Sequence, residues 1–417
     1  MKQIKIEGNN ILSGSIKVSG AKNSAVALVP ASILSDDIVT IDNVPNISDI
    51  DALNEILTYL GAKVKRKDSI IEINSNTIKN KEIKEDISKK LRASYYFMGA
   101  LLGKYKKAVM FFPGGCSIGE RPIDLHLKGF EALGATVKNE GNKYIVEAEE
   151  LKGANIYLDI ASVGATINIM LAAVKAEGKT IIDNAAKEPE IVNVATFLNN
   201  MGASITGAGT STIKINGVKH LKGCFHEVIP DRIEAGTYII MGALCGENLK
   251  IENIIPEHLD SVLLKLKEIG CNFKIHEDYI IVSKSDNYKR TNIKTLVYPG
   301  FPTDLQQPFT VLLTKCNGTS KVTETIWENR FMHVPYLNEM GANITIKNQT
   351  ASILGPTNLI GKEVVATDLR AGAAMVIAGL IAQGTTTIQN VEHILRGYEN
   401  IIEKLENVGA KISLIEI

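Results

Sequence analysis

A single thiol in a glycine-rich loop and a small set of arginines are the residues of this 417-residue chain best placed to do chemistry. The loop runs Phe112-Pro113-Gly114-Gly115-Cys116-Ser117-Ile118-Gly119-Glu120-Arg121-Pro122. Three glycines give it freedom to move, and Pro113 and Pro122 fix its ends. A cysteine among glycines and polar residues, five positions from an arginine, suits proton transfer or covalent chemistry. The loop lacks the Gly-Lys-Ser/Thr end of a Walker phosphate-binding loop. No histidine pattern supplies a protease-like partner, and His126 and His393 read as structural or supporting residues. Cys224, Cys245, Cys271 and Cys316 read as small buried hydrophobes.

The basic residues divide very unevenly. Of 46, only eight are arginine: Arg66, Arg92, Arg121, Arg232, Arg290, Arg330, Arg370 and Arg396. A chain that otherwise uses lysine is expected to keep arginine where a planar, two-pronged donor is needed. Six of the eight recur at matched places. The starts of buried helices carry Lys22-Asn23, Arg92, Ser162-Val163-Gly164, Asp231-Arg232, Asp304 and Arg370, and the loops before outer helices carry Arg121, Arg330 and Arg396. Helix N-termini present free N–H groups and the positive end of the helix dipole, which suits phosphate and carboxylate. Cations at that end disfavour the helix itself, so an anionic ligand is the expected compensation. The alternative is local pairing with Glu120, Asp231, Glu328 and Asp368.

These positions are matched because the chain repeats. A glycine-led tetrapeptide recurs at Gly61, Gly134, Gly202, Gly270, Gly341 and Gly409, spaced by 73, 68, 68, 71 and 68 residues. Each glycine reads as the left-handed residue that ends an amphipathic outer helix. Upstream of it lies a run with hardly any polar face, as in Ala25 to Leu34, Ile167 to Val174, Tyr238 to Leu244 and Ala373 to Ile381; such a helix belongs in a core. Each unit reads strand, buried helix, strand, outer helix, strand, strand. One unit cannot cover its own buried helix, so the expectation is an α/β protein of two three-unit domains, an inside-out α/β barrel of six βαβαββ units. The domains are placed at 21–229, with the Cys116 loop, and at 1–20 with 230–417, with Asp304, Arg330, Arg370 and Arg396. The N-terminal strand is expected to return to the second domain. A continuous solenoid is the alternative.

Composition is ordinary and globular, with 45% apolar and 22% charged residues and a formal net charge of zero. That balance argues against a nucleic-acid partner or a polybasic membrane patch. The N-terminus lacks the apolar stretch of a signal peptide, and no apolar run approaches a membrane span. Five scattered cysteines without a CxxC pair fit a reducing, cytoplasmic setting.

The repeat, Lys22-Asn23, Leu91-Arg92-Ala93-Ser94, the run PGGCSIGERPIDLH from Pro113 to His126, Ser162 to Thr166, Phe301-Pro302-Thr303-Asp304 and Asp368 to Gly372 closely resemble the enolpyruvyl transferase family acting on UDP-N-acetylglucosamine. The resemblance covers essentially the whole chain. It implies transfer of the enolpyruvyl group of phosphoenolpyruvate to the sugar 3′-hydroxyl with release of phosphate, by addition and elimination through a tetrahedral ketal. It places the protein at the first committed step of peptidoglycan synthesis, and so in cell-wall biogenesis, cell shape and division. No metal or organic cofactor is implied. By resemblance Asp304 is the general base, and Cys116 protonates the methylene carbon and is the fosfomycin target. Lys22, Arg121 and Arg396 meet the phosphate, and Arg330 and Arg370 the carboxylate, with Arg92 nearby. Arg121-Pro122-Ile123-Asp124-Leu125, Ser162-Val163 and Ile326 form the nucleotide-sugar pocket, with Asn23 beside the reacting centre. Ile160 departs from the lysine common in the family, which puts a diphosphate contact in doubt. The rival readings are 5-enolpyruvylshikimate-3-phosphate synthase, which lacks the cysteine loop, a non-catalytic nucleotide-sugar-binding paralogue, and a ring or scaffold protein.

Overall fold

The computed structural model describes residues 2–89, 92–111 and 123–416. The architecture is α/β. Among these residues the chain forms two compact units, one of residues 2–19 with 230–416 and one of residues 20–111 with 123–229. Each has its own apolar core.

The six glycines that punctuate the repeat all adopt positive φ, between 92° and 108°. That conformation favours a residue without a Cβ. The outer helices Ser48–Leu60 and Asp260–Ile269 end directly on Gly61 and Gly270 in the left-handed conformation. The helices upstream are as apolar as the sequence implies: in Val163–Ala173 every residue from Ala165 to Ala173 is buried. Burying each Ile, Met or Leu of that helix contributes about 1.5–3 kcal/mol. In the 230–416 unit the helices Arg232–Cys245, Gln306–Leu313 and Leu369–Ile381 pack against one another. In the other unit Tyr96–Tyr105 packs on both Lys22–Ala31 and Val163–Ala173.

The described residues form six sheets. Three of them combine one parallel pair with an antiparallel hairpin. In Asn155–Tyr157 with Lys179–Asp183, and in Glu363–Val365 with Thr385–Gln389, the parallel strands flank a buried helix. The simple linear unit fails at two places. Ile38–Asp42 takes its parallel partner from Phe225–Glu227, at the far end of the same unit, and Leu249–Glu252 takes its own from Ser15–Lys17. The strand preceding a buried helix therefore stays behind where the chain crosses between units, near residues 19–20 and 229–230. Lys2–Glu7 is an inner strand between Thr385–Gln389 and Ile412–Glu416. In the second repeat the leading strand shrinks to one bridge, Ile83 with Met110.

A buried ionic cluster anchors the crossing at Ser19. Lys404 Nζ lies 2.6 Å from Glu234 Oε1 and donates to Ser19 Oγ at 2.6 Å, while Ser19 N–H donates to Glu234 Oε2 at 3.0 Å. No helix of the described residues is long and apolar enough to cross a membrane.

Candidate active site

The unit of residues 2–19 and 230–416 carries a carboxylate gripped by two buried arginines. Asp304 lies in the short turn Thr303–Leu305 that leads into the buried helix Gln306–Leu313. Arg330 Nη2 donates to Asp304 Oδ1 at 2.9 Å, and Arg370 donates to Oδ2 through Nε at 3.2 Å and Nη2 at 3.1 Å. Both arginine side chains are 3% exposed and the carboxylate 28%. Burial works against the charge on Arg370, yet Tyr398, Asp304 and Asp231 hold its pKa above the ordinary value. The ring of Tyr398 faces it, with the guanidinium carbon 5.3 Å from the ring centroid. Arg330 Nε and Arg370 Nη1 remain buried donors with no acceptor among the described residues. Buried donors of this kind require an acceptor, which a bound anion or water supplies.

Of the acids that stood as local partners for the arginines, Glu120 lies outside the described residues, while Asp231 and Asp368 cap helix starts. Asp231 accepts from the N–H groups of Ile233 and Glu234 at 2.8 and 3.0 Å, and Asp368 from those of Arg370 and Ala371 at 2.8 and 3.0 Å. A cap of this type is worth about 1 kcal/mol. Arg232 opens the helix after Asp231 and lies over the Tyr298 ring at 5.5 Å. Arg396 follows the short helix Glu392–Leu395 and is half-buried. Ile326 is half-buried, with its N–H bonded to Glu324 at 2.8 Å.

In the other unit Lys22 begins the buried helix Lys22–Ala31, followed by half-buried Asn23. Lys22 Nζ lies 2.7 Å from Asp49 Oδ2, and the two side chains are 12% and 6% exposed. Asp49 was not legible as a site residue: in sequence it is one of several acids opening the outer helix. Ser162 caps Val163–Ala173, its hydroxyl accepting from Ala165 N–H at 3.2 Å. Ile123 is buried ahead of Asp124–Ala132, Asp124 is exposed and Leu125 half-buried. His126 is buried, and burial pushes its pKa down to about 3. Its Nδ1 lies 2.9 Å from the amide nitrogen of Asn168, which also bonds the Tyr95 carbonyl and accepts from Gly99 N–H. His126 is thus a neutral core residue tying the turn Arg92–Tyr95 to the neighbouring helix. Ile160 is 67% exposed.

Cys116, Arg121 and Pro122 lie outside the described residues, as does the side chain of Arg92. The other four thiols are poor nucleophiles. Burial raises Cys224 to about 11 and Cys245 and Cys316 to about 12. Burial, with Cys316 close by, raises Cys271 to about 12 as well. Cys245 and Cys316 are buried as expected, whereas Cys224 and Cys271 are only half-buried.

Helix-start cations and a clamped carboxylate on an α/β scaffold suit a protein that binds anionic substrates. Residues 6–405 match the profile of the family described as EPSP synthase (3-phosphoshikimate 1-carboxyvinyltransferase), and the chain belongs to this enolpyruvyl transferase family. Among its relatives, UDP-N-acetylglucosamine 1-carboxyvinyltransferase 2 of Geobacillus kaustophilus is 56% identical over 412 residues, 99% of this chain and 96% of that protein. The protein of the same name from Listeria monocytogenes is 55% identical over 408 residues, 98% of this chain and 96% of its own. Of solved structures, the enolpyruvyl transferase NikO from Streptomyces tendae matches with a TM-score of 0.90 at 25% identity, covering 99% of both chains. EPSP synthase from Acinetobacter baumannii matches with a TM-score of 0.76 at 19% identity over 100% of both chains, a likeness of fold.

Proposed function

We propose that the protein transfers the enolpyruvyl group of phosphoenolpyruvate to the 3′-hydroxyl of UDP-N-acetylglucosamine and releases phosphate, the first committed step of peptidoglycan synthesis in the cytoplasm. Full-length identity of 55–56% to relatives named for that acceptor carries the reading and disfavours the shikimate alternative. In this reading the six units form an inside-out α/β barrel.

The geometry of each half supports a division of labour. Arg330 and Arg370 are preorganised around a carboxylate, and each keeps one unused buried donor. When the carboxylate of phosphoenolpyruvate enters, it takes over these forks and releases an Asp304 oxygen to accept the proton of the sugar hydroxyl. Lys22, fixed by Asp49, meets the phosphate together with Arg121 and Arg396. The same cations stabilise the anionic ketal as charge develops on it. Ser162 and Val163, with Ile123, Asp124, Leu125 and Ile326, line the nucleotide-sugar pocket, with Asn23 and Arg92 nearby. Cys116 delivers the proton to the methylene carbon.

The test is alkylation by fosfomycin, an epoxide phosphonate that reacts with thiols. Peptide mapping should find the adduct on Cys116, with loss of phosphate release in proportion to labelling. An adduct confined to Cys224, Cys245, Cys271 or Cys316 would sink the assignment of the reactive thiol.

A further inference from the structure

Glu324 joins the two segments that carry Asp304 and Arg330. It follows the strand Cys316–Thr323, and its side chain is 1% exposed. Four donors converge on the carboxylate. Oε1 accepts from Thr295 Oγ1 at 2.8 Å, from Ile326 N–H at 2.8 Å and from Trp327 N–H at 3.3 Å, and Oε2 accepts from Thr303 Oγ1 at 2.9 Å. Thr295 is itself locked, accepting from Thr325 N–H at 2.9 Å, while the Thr325 hydroxyl donates to the Thr295 carbonyl at 2.5 Å. Thr303 directly precedes Asp304 in the turn Thr303–Leu305. The loop beginning at Thr325 leads through Ile326 to Arg330.

A buried carboxylate is costly unless it is well bonded, and bonds to an ionised acceptor are about twice as strong as neutral ones. Here the burial cost is met by joining three separate segments. Without the Glu324 contacts, the Asp304–Arg330 pair would itself have to hold the turn against the loop. That pair could not then part for a substrate without loosening the site.

We infer that Glu324, acting through the Thr303 hydroxyl and the Ile326 and Trp327 amides, is a positioning residue that sets Asp304 and the Ile326 loop independently of the Asp304–Arg330 pair. The inference rests on Asp304 acting as the base. It separates the two arms of Glu324: one leads to the Asp304 turn, the other to the loop bearing Ile326.

The experiment compares Thr303→Val, Thr303→Ser and Glu324→Gln in steady-state turnover, with thermal melting of each. Thr303→Val removes one bond at constant shape. It should lower kcat roughly tenfold, the size expected for a misplaced reacting group, with the KM for UDP-N-acetylglucosamine within about twofold of wild type. Thr303→Ser keeps the hydroxyl and should restore kcat. Glu324→Gln weakens both arms and should lower kcat and also raise the KM for UDP-N-acetylglucosamine. A Thr303→Val enzyme with wild-type kcat overturns the inference. So does a loss that Thr303→Ser fails to restore, or one that tracks only a lowered melting temperature. A wild type that turns over neither substrate is a separate outcome, removing the functional reading and the inference with it.

Discussion

Replacing Asp304 by alanine strips one carboxylate from two buried guanidiniums, and the cost follows from the geometry. At nitrogen–oxygen distances of 2.9 and 3.1 Å, each pair has a gross attraction of about 5 kcal/mol at an effective dielectric constant near 20. Most of that offsets desolvation, and breaking a buried pair costs about 3–5 kcal/mol net. Asp304 is 28% exposed, which favours the lower end, about 3 kcal/mol. For a unit of this size that is a fall in melting temperature of roughly 6–12 °C. The vacated space sits beside two donors that want an anion, so acetate should refill it. At a hundred times its Kd, acetate returns about 2.7 kcal/mol by mass action, most of the loss. The assay is thermal unfolding of wild type and Asp304→Ala across a titration of acetate, with acetamide as the neutral counterpart. Acetate should raise the melting temperature of the variant by several degrees and acetamide should not. A variant as stable as wild type, or one rescued equally by acetamide, would refute the charge-compensation argument.

Three further outcomes follow from other parts of the molecule. Lys404→Met leaves Glu234, 2% exposed, without its cation, and should cost about 3 kcal/mol in denaturant unfolding of the 230–416 unit; an unchanged midpoint contradicts the anchoring role. His126 and His333 are held neutral when folded, both pushed down to about 3, chiefly by burial. Below pH 6.5 the unfolded chain binds protons that the folded chain does not, so stability falls with pH from there towards 3. By pH 5.5 each histidine accounts for about 1.4 kcal/mol. Guanidinium unfolding at pH 7 and 5.5 should show a smaller loss in His333→Leu than in wild type, and equal losses would speak against it. Ile160→Lys should lower the KM for UDP-N-acetylglucosamine about threefold, the scale of one exposed charge contact. No change, or weaker binding, would show that Ile160 lies away from the diphosphate.

Much of the scaffold was legible because it rests on local rules. All six repeat glycines take the left-handed conformation required where an outer helix turns into a strand, and the apolar runs are the buried helices. The sequence led us to expect the N-terminal segment in the second domain, but not the strand that fills the first repeat's sheet. Pairing of Phe225–Glu227 with Ile38–Asp42 joins residues far apart in sequence, and either segment alone would suit a neighbouring strand. Arginine rarity pointed to Arg330 and Arg370, but not to Asp304 as the residue they hold. Acids close in sequence looked like their partners; Asp231 and Asp368 also cap helix starts, a role that depends on backbone geometry. Asp49 and Glu324 escaped notice for a related reason. Each looks in sequence like an ordinary surface acid, and its importance comes from neighbours that only the fold brings close. The cysteine loop was singled out from its glycines and its thiol, and its assignment rests on chemistry that labelling can test.

The most direct test of the account is a comparison of acceptors. Purified protein with phosphoenolpyruvate should release phosphate when UDP-N-acetylglucosamine is present, and the nucleotide sugar should gain an enolpyruvyl ether at the 3′ position. Shikimate 3-phosphate in its place should give only background release. Robust turnover with shikimate 3-phosphate, and none with the nucleotide sugar, would contradict the central claim.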